Sequence, residues 1–384
     1  MIDPQLNYKK RVVIFLLIII MIVPVLFLGY EYYSNWKVKQ ENLQKIGYFQ
    51  FSYNDGVVES IVLNRDNTIA YVAVLRDGIY ALDVTNPLKP KILATFKEFK
   101  TVSDIVLSPD ENVLYVSGDG FVFSLDLSNK KRMLLLDRFY TLKNRAVYHS
   151  FKTMRLETHG ILYSTIYKRD SIALSNDGKR LYVAGANGAY ILDVEGKSLK
   201  ELYHFSDKSY YAVAELDSKT LLLVSAGSYY VHSKGVLERV DISNILDPKV
   251  IETTSILHTL PYQIVFSNNR RRAYLGGGLE KSITVLAILK ENSVHVVSEF
   301  KLKEYIYSLE SSVDGKLLYV GNSKAFKIFD MSYLYAPKEV GMIKVDKKCD
   351  YICFSRLSHN KKDLYMGSIR GRMKIIHNFR YLKE

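Results

Sequence analysis

A tyrosine recurs along the chain at a nearly fixed interval, each time inside a short apolar run. The six clear copies read AYVAV, LYVSG, LYVAG, AYLGG, LYVGN and LYMGS, and they contain Tyr71, Tyr115, Tyr182, Tyr274, Tyr319 and Tyr365. The intervals between these tyrosines are 44, 67, 92, 45 and 46 residues. The interval of 92 holds a weaker copy, LLLVSAG, near Leu222, and the interval of 67 is one unit plus an insertion. A unit of about 40–50 residues built from short apolar runs is typical of a β-propeller blade.

Each unit repeats one order of strands and turns. A first apolar strand is followed by a polar turn, the tyrosine strand, a second turn and a third strand that ends in an aspartate. These aspartates are Asp83, Asp126, Asp193, Asp241 and Asp330. An aspartate at the start of a tight turn accepts backbone amides two or three residues further on. We therefore assign these aspartates a structural role and no catalytic one.

The first turns mark seven units, and the seventh unit ends after its third strand, near Asn378. An additional apolar segment, IGYFQFSY, precedes the first unit at residues 46–53. We expect this segment to supply the missing fourth strand, because closing the ring removes exposed sheet edges that invite aggregation. The predicted fold is an all-β, seven-bladed β-propeller over residues 46–384.

A long apolar run lies before the repeats. Residues 12–29 read VVIFLLIIIMIVPVLFLG and hold no charge, and Tyr30 extends the run toward the length that crosses a bilayer. The sequence predicts one transmembrane helix at residues 12–30. A cleaved signal peptide is the alternative, although no small-x-small cleavage pattern follows the run.

The charges beside this run predict its orientation. Lys9, Lys10 and Arg11 precede it, which places the N-terminus on the cytoplasmic side by the positive-inside rule. We expect a cytoplasmic N-terminus at 1–11, a juxtamembrane linker at 31–45 and an extracytoplasmic propeller, periplasmic in a Gram-negative bacterium.

The two cysteines, Cys349 and Cys353, fall in one predicted strand. At a strand rise of ~3.3 Å per residue they stand about 13 Å apart, too far for a disulfide. Their separation is also wrong for a zinc site, and we expect small buried apolar residues.

Several third strands resemble a known family. The strings GIYALDVTNP, GAYILDVEGK and VDISNILDP resemble the LVIVD-repeat proteins, and SPDENVLYVSG and SNDGKRLYVAG resemble the YVTN-type and lactonase-like propellers. The LVIVD resemblance implies a propeller and often an envelope location. Its motif is structural and brings no catalytic residues.

Candidate binding residues come from alignment of the first strands, which line the axis of a propeller. The acids and tyrosines that this alignment places at the mouth of the channel are Glu59, Asp104, Asp170, Tyr211, Tyr262, Tyr307 and Asp350. Such a mouth can bind a cation, an amine or a sugar, or it can be a water-filled polar funnel.

Two further regions are candidates. The turns after the first and third strands share one face and carry many basic residues, among them Lys179, Arg180, Arg270, Arg271, Arg272, Lys361 and Lys362. This charge attracts anionic lipid headgroups, envelope polymers or an acidic protein, or it is ordinary solvated lysine and arginine. The insertion between the second and third units, a loop or a hairpin, holds Tyr148, His149, Arg155 and His159, and long loops on rigid scaffolds often bind partners.

No catalytic motif accompanies these regions. The eight histidines are scattered, and neither a G-x-S-x-G element nor a P-loop is present. We expect a membrane-anchored, non-catalytic binding or scaffold module for an envelope protein or an anionic polymer, with no cofactor and no nucleic-acid partner. The alternative is a metal-dependent, lactonase-like hydrolase with a divalent ion at the acidic mouth.

Overall fold

The computed structural model describes residues 45–52, 56–118, 120–141, 170–225, 235–256, 261–277, 281–312, 314–322, 324–344, 352–377 and 379. The chain divides into two compact units, residues 1–45 and 46–384. The described residues of the second unit, together with Lys45, form seven four-stranded sheets. We number the sheets along the chain.

Sheets 1 to 4 follow one another in sequence. Sheet 1 contains β2 (Val57–Leu63), β3 (Ile69–Leu75), β4 (Gly78–Asp83) and β5 (Lys91–Phe96). Sheet 2 contains β6 (Val102–Leu107), β7 (Val113–Gly118), β8 (Phe121–Asp126) and β9 (Leu134–Tyr140). Sheet 3 contains β10 (Ser171–Leu174), β11 (Arg180–Gly185), β12 (Gly188–Asp193) and β13 (Lys200–Phe205). Sheet 4 contains β14 (Tyr210–Asp217), β15 (Thr220–Ser225), β16 (Gly235–Asp241) and β17 (Lys249–Ile256).

Sheets 5 to 7 complete the set. Sheet 5 contains β18 (Gln263–Phe266), β19 (Arg272–Gly276), β20 (Ser282–Ile288) and β21 (Val294–Lys301). Sheet 6 contains β22 (Ile306–Ser311), β23 (Leu317–Asn322), β24 (Ala325–Asp330) and β25 (Lys338–Lys344). Sheet 7 contains β26 (Ile352–Leu357), β27 (Asp363–Ser368), β28 (Arg372–His377) and β1 (Lys45–Gln50).

The sheets form a closed ring. In sheets 1 to 6 the strands pair in chain order, and the first strand of each sheet contacts the first strand of the next. The contacts return from β26 to β2, so no sheet of the described chain ends the series. The protein is a seven-bladed β-propeller, as the repeat predicts.

The segment before the first repeat closes the ring. β1 is the fourth strand of sheet 7, beside β28. Gln50 fixes it there, because its Nε2 donates to the carbonyl oxygen of Gly371 (2.8 Å) and its Oε1 accepts from Arg372 Nε (2.7 Å). Phe51 then reaches sheet 1, where its ring meets that of Tyr80 edge-on at 4.9 Å. The predicted closure by the first apolar segment is confirmed.

The hydrophobic core lies between the sheets. The buried apolar residues of the described chain form seven clusters, and each cluster is shared by two neighbouring sheets. The recurrent tyrosine points into these junctions, and Tyr182 Oη, for example, donates to Glu215 Oε1 in the next sheet (3.3 Å). Burial raises the pKa of Tyr71 and of Tyr115 to about 12. The recurrent tyrosine is therefore a packing residue.

One face of the disc carries the connections between first and second strands and between third and fourth strands. We call it the turn face, and the opposite face the mouth face. At the turn face, Asp83 accepts the backbone amide of Thr85 (2.9 Å) and Asp241 accepts that of Ser243 (2.8 Å). Equivalent bonds reach Asp126, Asp193 and Asp330. The structural role predicted for these aspartates is confirmed.

The proposed membrane segment is not part of this description. Residues 12–30 and most of the linker at 31–45 lie outside the described residues. Within the described part of the chain, the search for a helix long and apolar enough to cross a bilayer finds none. The transmembrane helix therefore stays a prediction from the sequence.

Candidate functional site

The first strands carry a bulge near the mouth face. In sheet 1 the pairing with β3 passes from Val58 directly to Ser60, so Glu59 is the extra residue. The same register shift makes Ser103, Tyr211 and Tyr307 the extra residues of the first strands in sheets 2, 4 and 6. Val58 packs in the cluster shared with sheet 7, and Ser60 Oγ donates to Asp104 of sheet 2 (2.9 Å). The residues on either side of the bulge thus face the neighbouring sheets. The extra residue between them therefore faces the central axis of the propeller.

Asp104 follows its bulge, and its carboxylate joins three sheets. Its Oδ1 accepts from Ser60 Oγ of sheet 1 (2.9 Å), and its Oδ2 accepts from the backbone amide of Ile172 in sheet 3 (3.4 Å). Gln263 repeats the arrangement, since its Oε1 accepts from the backbone amide of Leu309 in sheet 6 (2.8 Å). This position bonds adjacent first strands together, and Asp104 belongs to the framework of the ring.

The bulged positions differ around the axis. In sheet 1 the bulged residue is the acid Glu59, which is 2% exposed, and in sheet 3 the acid Asp170 takes the equivalent position and is 7% exposed. Sheets 5 and 6 place tyrosines, Tyr262 and Tyr307, each 5% exposed. Glu59, Asp170, Tyr262 and Tyr307 therefore have little solvent contact, whereas Asp104 and Tyr211 are half-buried.

The aromatic side of the axis is continuous between two sheets. The rings of Tyr211 and Tyr262 are 6.1 Å apart at an angle of 45°. Burial raises the pKa of Tyr211, so its hydroxyl stays protonated and able to donate at neutral pH. Neutral aromatic rings opposite carboxylates favour a cationic or amine group over an anion.

The seventh sheet shows where the sequence alignment is displaced. β26 pairs Ile352 with Ser368 and Phe354 with Gly367, so the bulge falls at Cys353. In sheets 1, 2 and 6 the residue after the bulge lies eleven positions before the recurrent tyrosine, and Phe354 has the same spacing from Tyr365. Asp350, the acid that the sequence assigned to this position, lies outside the described residues. Counting back from the tyrosine would have found the register.

Metal ligands do not converge in the described part of the chain. A search of those residues for three or more His, Cys, Asp or Glu side chains placed to hold a metal ion finds none. Cys349 lies outside the described residues, as does the insertion with Tyr148, His149, Arg155 and His159. The insertion joins Thr141 to Asp170, so both of its ends belong to the mouth face.

Several basic residues of the turn face have internal partners. Arg270 Nη1 donates to the carbonyl oxygens of Glu215 and Leu216 (2.6 Å each), which ties sheet 5 to sheet 4. Arg272 Nη1 donates to the carbonyl oxygens of Gly315 and Met331 in sheet 6 (3.2 and 3.0 Å). Both arginines are half-buried, and their guanidinium groups link neighbouring blades through these carbonyl oxygens.

The remaining basic candidates are closer to solvent. Lys179 pairs with Glu195 (2.6 Å), and Lys361 approaches Glu310 (3.4 Å). Arg180 is half-buried, while Arg271 and Lys362 are exposed. The same turns hold the recurrent aspartates, so positive and negative charges are interspersed on this face. Arg271 and Lys362 are the clearest free cations of the predicted set.

The chain was compared with known proteins. A scan against protein-family models finds no match, and a search of curated proteins finds none either. The likeness of its third strands to LVIVD repeats stays a resemblance, and the class of the protein rests on its architecture.

Proposed function

We propose that this chain is a membrane-anchored, extracytoplasmic β-propeller that serves as a non-catalytic binding or scaffold module for an envelope protein or an anionic polymer. The propeller supplies a rigid disc with two distinct faces. The apolar run at residues 12–30 supports the anchor, and the basic residues before it support the orientation.

The observation that carries the non-catalytic assignment is the use made of the conspicuous polar residues. Asp104, Arg270 and Arg272 each bond to neighbouring sheets and hold the ring together. A catalytic site needs a nucleophile, a base and a stabilising group that converge on one reacting atom. The framework bonds of Asp104, Arg270 and Arg272 support a binding or scaffold role for this ring.

Membrane integration and orientation are tested on the full chain with an epitope after Glu384. We expect the chain to resist alkaline carbonate extraction and the epitope to be accessible to protease in intact spheroplasts. The matched control lacks residues 12–29 and should be released as soluble protein. An epitope protected in spheroplasts, or release of the complete chain by carbonate, would overturn the proposed anchor.

Binding of an anionic polymer is tested with charge reversals on the two faces. Arg271→Glu with Lys362→Glu changes the turn face, and Lys100→Glu with Lys303→Glu makes the same change in charge at exposed positions of the mouth face. We expect the turn-face variant in detergent to elute from immobilised dextran sulfate at a lower salt concentration than the mouth-face variant. Equal elution of the two variants would contradict a role for the turn face.

A further inference from the structure

The most exposed large apolar side chains of the described chain share one location. They are Tyr335 (82%), Tyr333 (79%), Leu246 (66%) and Leu289 (54%). All four lie in the third-to-fourth-strand turns of sheets 4, 5 and 6, which are adjacent in the ring. We call these three turns the apolar tips.

The corresponding turns of sheets 2 and 3 have a different character. Sheet 2 exposes Lys130, Lys131 and Arg132, and sheet 3 exposes Glu195 and Lys197. The turn face is therefore asymmetric, with an apolar and aromatic half and a charged half. The turns of sheets 3 and 5 both contain a short 3-10 helix, yet one exposes charged residues and the other exposes Leu289, so the apolar half reflects the residues placed there.

The first described strand, β1, begins on this same face. The fourth strand of a blade begins at the turn face, and β1 is the fourth strand of sheet 7. Gly47 confirms the location, because a Cβ atom added there would lie 2.4 Å from the carbonyl oxygen of Pro87, in the third-to-fourth-strand turn of sheet 1. Residues 31–45 span at most about 50 Å when fully extended. An anchor at 12–30 would therefore be joined to the propeller through the turn-face end of β1.

The chemistry of the tips fits a bilayer surface. Tyrosine is enriched at membrane interfaces because its ring is apolar and its hydroxyl remains hydrated. Lys249, Lys290 and Lys338 lie beside the tips, where they can reach lipid phosphates. Three separate projections can each enter the headgroup layer, whereas a protein partner would need one continuous complementary patch.

We propose that the apolar tips dock the propeller onto the anionic lipid surface of the membrane in which the chain is anchored. The turn face then lies against the bilayer and the mouth face points away from it. The inference rests on the proposed membrane anchor, and it assigns the turn face to lipid in place of a soluble polymer or a protein.

The test places one tryptophan on each face of the same blade. The chain has a single tryptophan, Trp36, and Trp36→Phe provides a background without one. In that background, Tyr335→Trp reports on the apolar tip of sheet 6, and Lys324→Trp reports on the exposed mouth-face turn of the same sheet. Both full-length variants are reconstituted in nanodiscs of phosphatidylcholine and phosphatidylglycerol, with and without brominated acyl chains.

We expect brominated lipid to quench the Tyr335→Trp variant several-fold more than the Lys324→Trp variant. Equal quenching at the two positions, or none at 335, in discs that retain the protein would overturn the docking while leaving the anchor intact. Shielding at 335 that requires two copies in one disc would assign the tips to a dimer and overturn the proposal. Failure of the chain to stay in the discs would overturn the anchor itself and the docking with it.

Discussion

Asp104 illustrates how a residue that looks like a ligand can be a framework group. Alignment of the repeated first strands predicts that its carboxylate lines the channel. Its two oxygens instead accept hydrogen bonds from the Ser60 hydroxyl of sheet 1 and from the backbone amide of Ile172 in sheet 3. Bonds of this kind substitute for ladder hydrogen bonds, which cannot form between blades. Their loss leaves a donor near the axis without its acceptor.

Replacing Asp104 should therefore affect stability. We expect Asp104→Ala to lower the free energy of unfolding by about 1–3 kcal/mol, because Ser60 and the amide of Ile172 lose their acceptor. Asp104→Asn retains one acceptor oxygen and should cost less. Thermal unfolding followed by circular dichroism measures both, with Asp66→Ala at an exposed turn as the control. A melting temperature for Asp104→Ala equal to that of Asp66→Ala would contradict the framework role.

Gly367, next to the last residue of β27, lies where a larger residue would meet a neighbouring sheet. A Cβ atom at this position would lie 2.2 Å from Cγ1 of Val58, across the junction between sheets 7 and 1. The glycine permits the last and first blades to approach closely, where Val58 is fully buried.

A double-mutant cycle tests this contact. Gly367→Ala should destabilise the protein by about 1–3 kcal/mol through overpacking. Val58→Gly removes the Cβ atom (2.4 Å) together with the obstructing methyl groups (the nearer at 2.2 Å), so in its background the Gly367→Ala substitution should cost less, giving a non-additive cycle. Strict additivity of the two changes in unfolding free energy would show that the residues do not compete for space.

At the scale of elements, the first turn of most blades repeats a local hydrogen-bonded motif. Ser108 Oγ donates to Asp110, and the backbone amide of Val113 donates to the same hydroxyl (2.9 Å). Ser175 with Asp177 and Ser312 with Asp314 form the same pair of bonds. Sheets 5 and 7 use asparagine in place of the aspartate. The motif Ser-x-Asp/Asn thus closes the turn that carries the chain from the inner strand to the second strand.

These turns predict a pH dependence. Hydrogen bonds from the serine hydroxyls lower the pKa values of Asp110, Asp177 and Asp314 below the ordinary value. A lowered pKa in the folded state contributes stability above the unfolded value of about 3.9, and this contribution is lost as the pH falls through the folded pKa. The triple variant with Asn at all three positions should lose less stability than the parent between neutral and strongly acidic pH. Parallel pH profiles of melting temperature would contradict the assignment.

The elements also show how far a sequence determines such a fold. The tyrosine interval, the terminal aspartates and the extra segment before the first unit each have a local cause, and together they predict seven blades and their closure. The register of β26 is set by its spacing to Tyr365 and not by the residues before Ile352, which carry no clear strand start. The strings SPDENV, SNDGKR and SVDGKL contain the Ser-x-Asp motif, but the sequence alone does not reveal that the serine closes the turn.

Contacts between blades could not be read from the sequence. Arg270 bonds to Asn176, 94 positions earlier, because the turns of sheets 3, 4 and 5 meet around the axis. No periodic pattern marks Arg270 as different from Arg271, its exposed neighbour. A basic side chain of these turns is therefore available to a binding partner only where it is not already bonded to another sheet.

At the scale of the whole molecule, sheet 7 is the one sheet built from strands that are far apart in the sequence. β1 and β28 are separated by more than 300 positions, and Gln50 bonds to Gly371 and Arg372 there. A ring without this strand would expose the edge of β28, and exposed edges pair with other chains. Closure therefore protects the whole molecule and not only sheet 7.

Two variants test this closure. Deletion of residues 46–53 should give a protein that aggregates, because sheet 7 loses its outer strand and sheet 1 loses Phe51. Gly47→Val should act in the same direction while keeping the strand, since its side chain would meet the backbone of Pro87 and Leu88. Lys45→Val is the matched control, because it adds the same side chain at an exposed position of the same strand. Light scattering during heating measures the onset of aggregation, which should come earlier for the deletion and for Gly47→Val than for the control. An unchanged onset for both would mean that the ring is stable as an open array of sheets, in which case the first strand would be a dispensable cover and not the element that closes the disc.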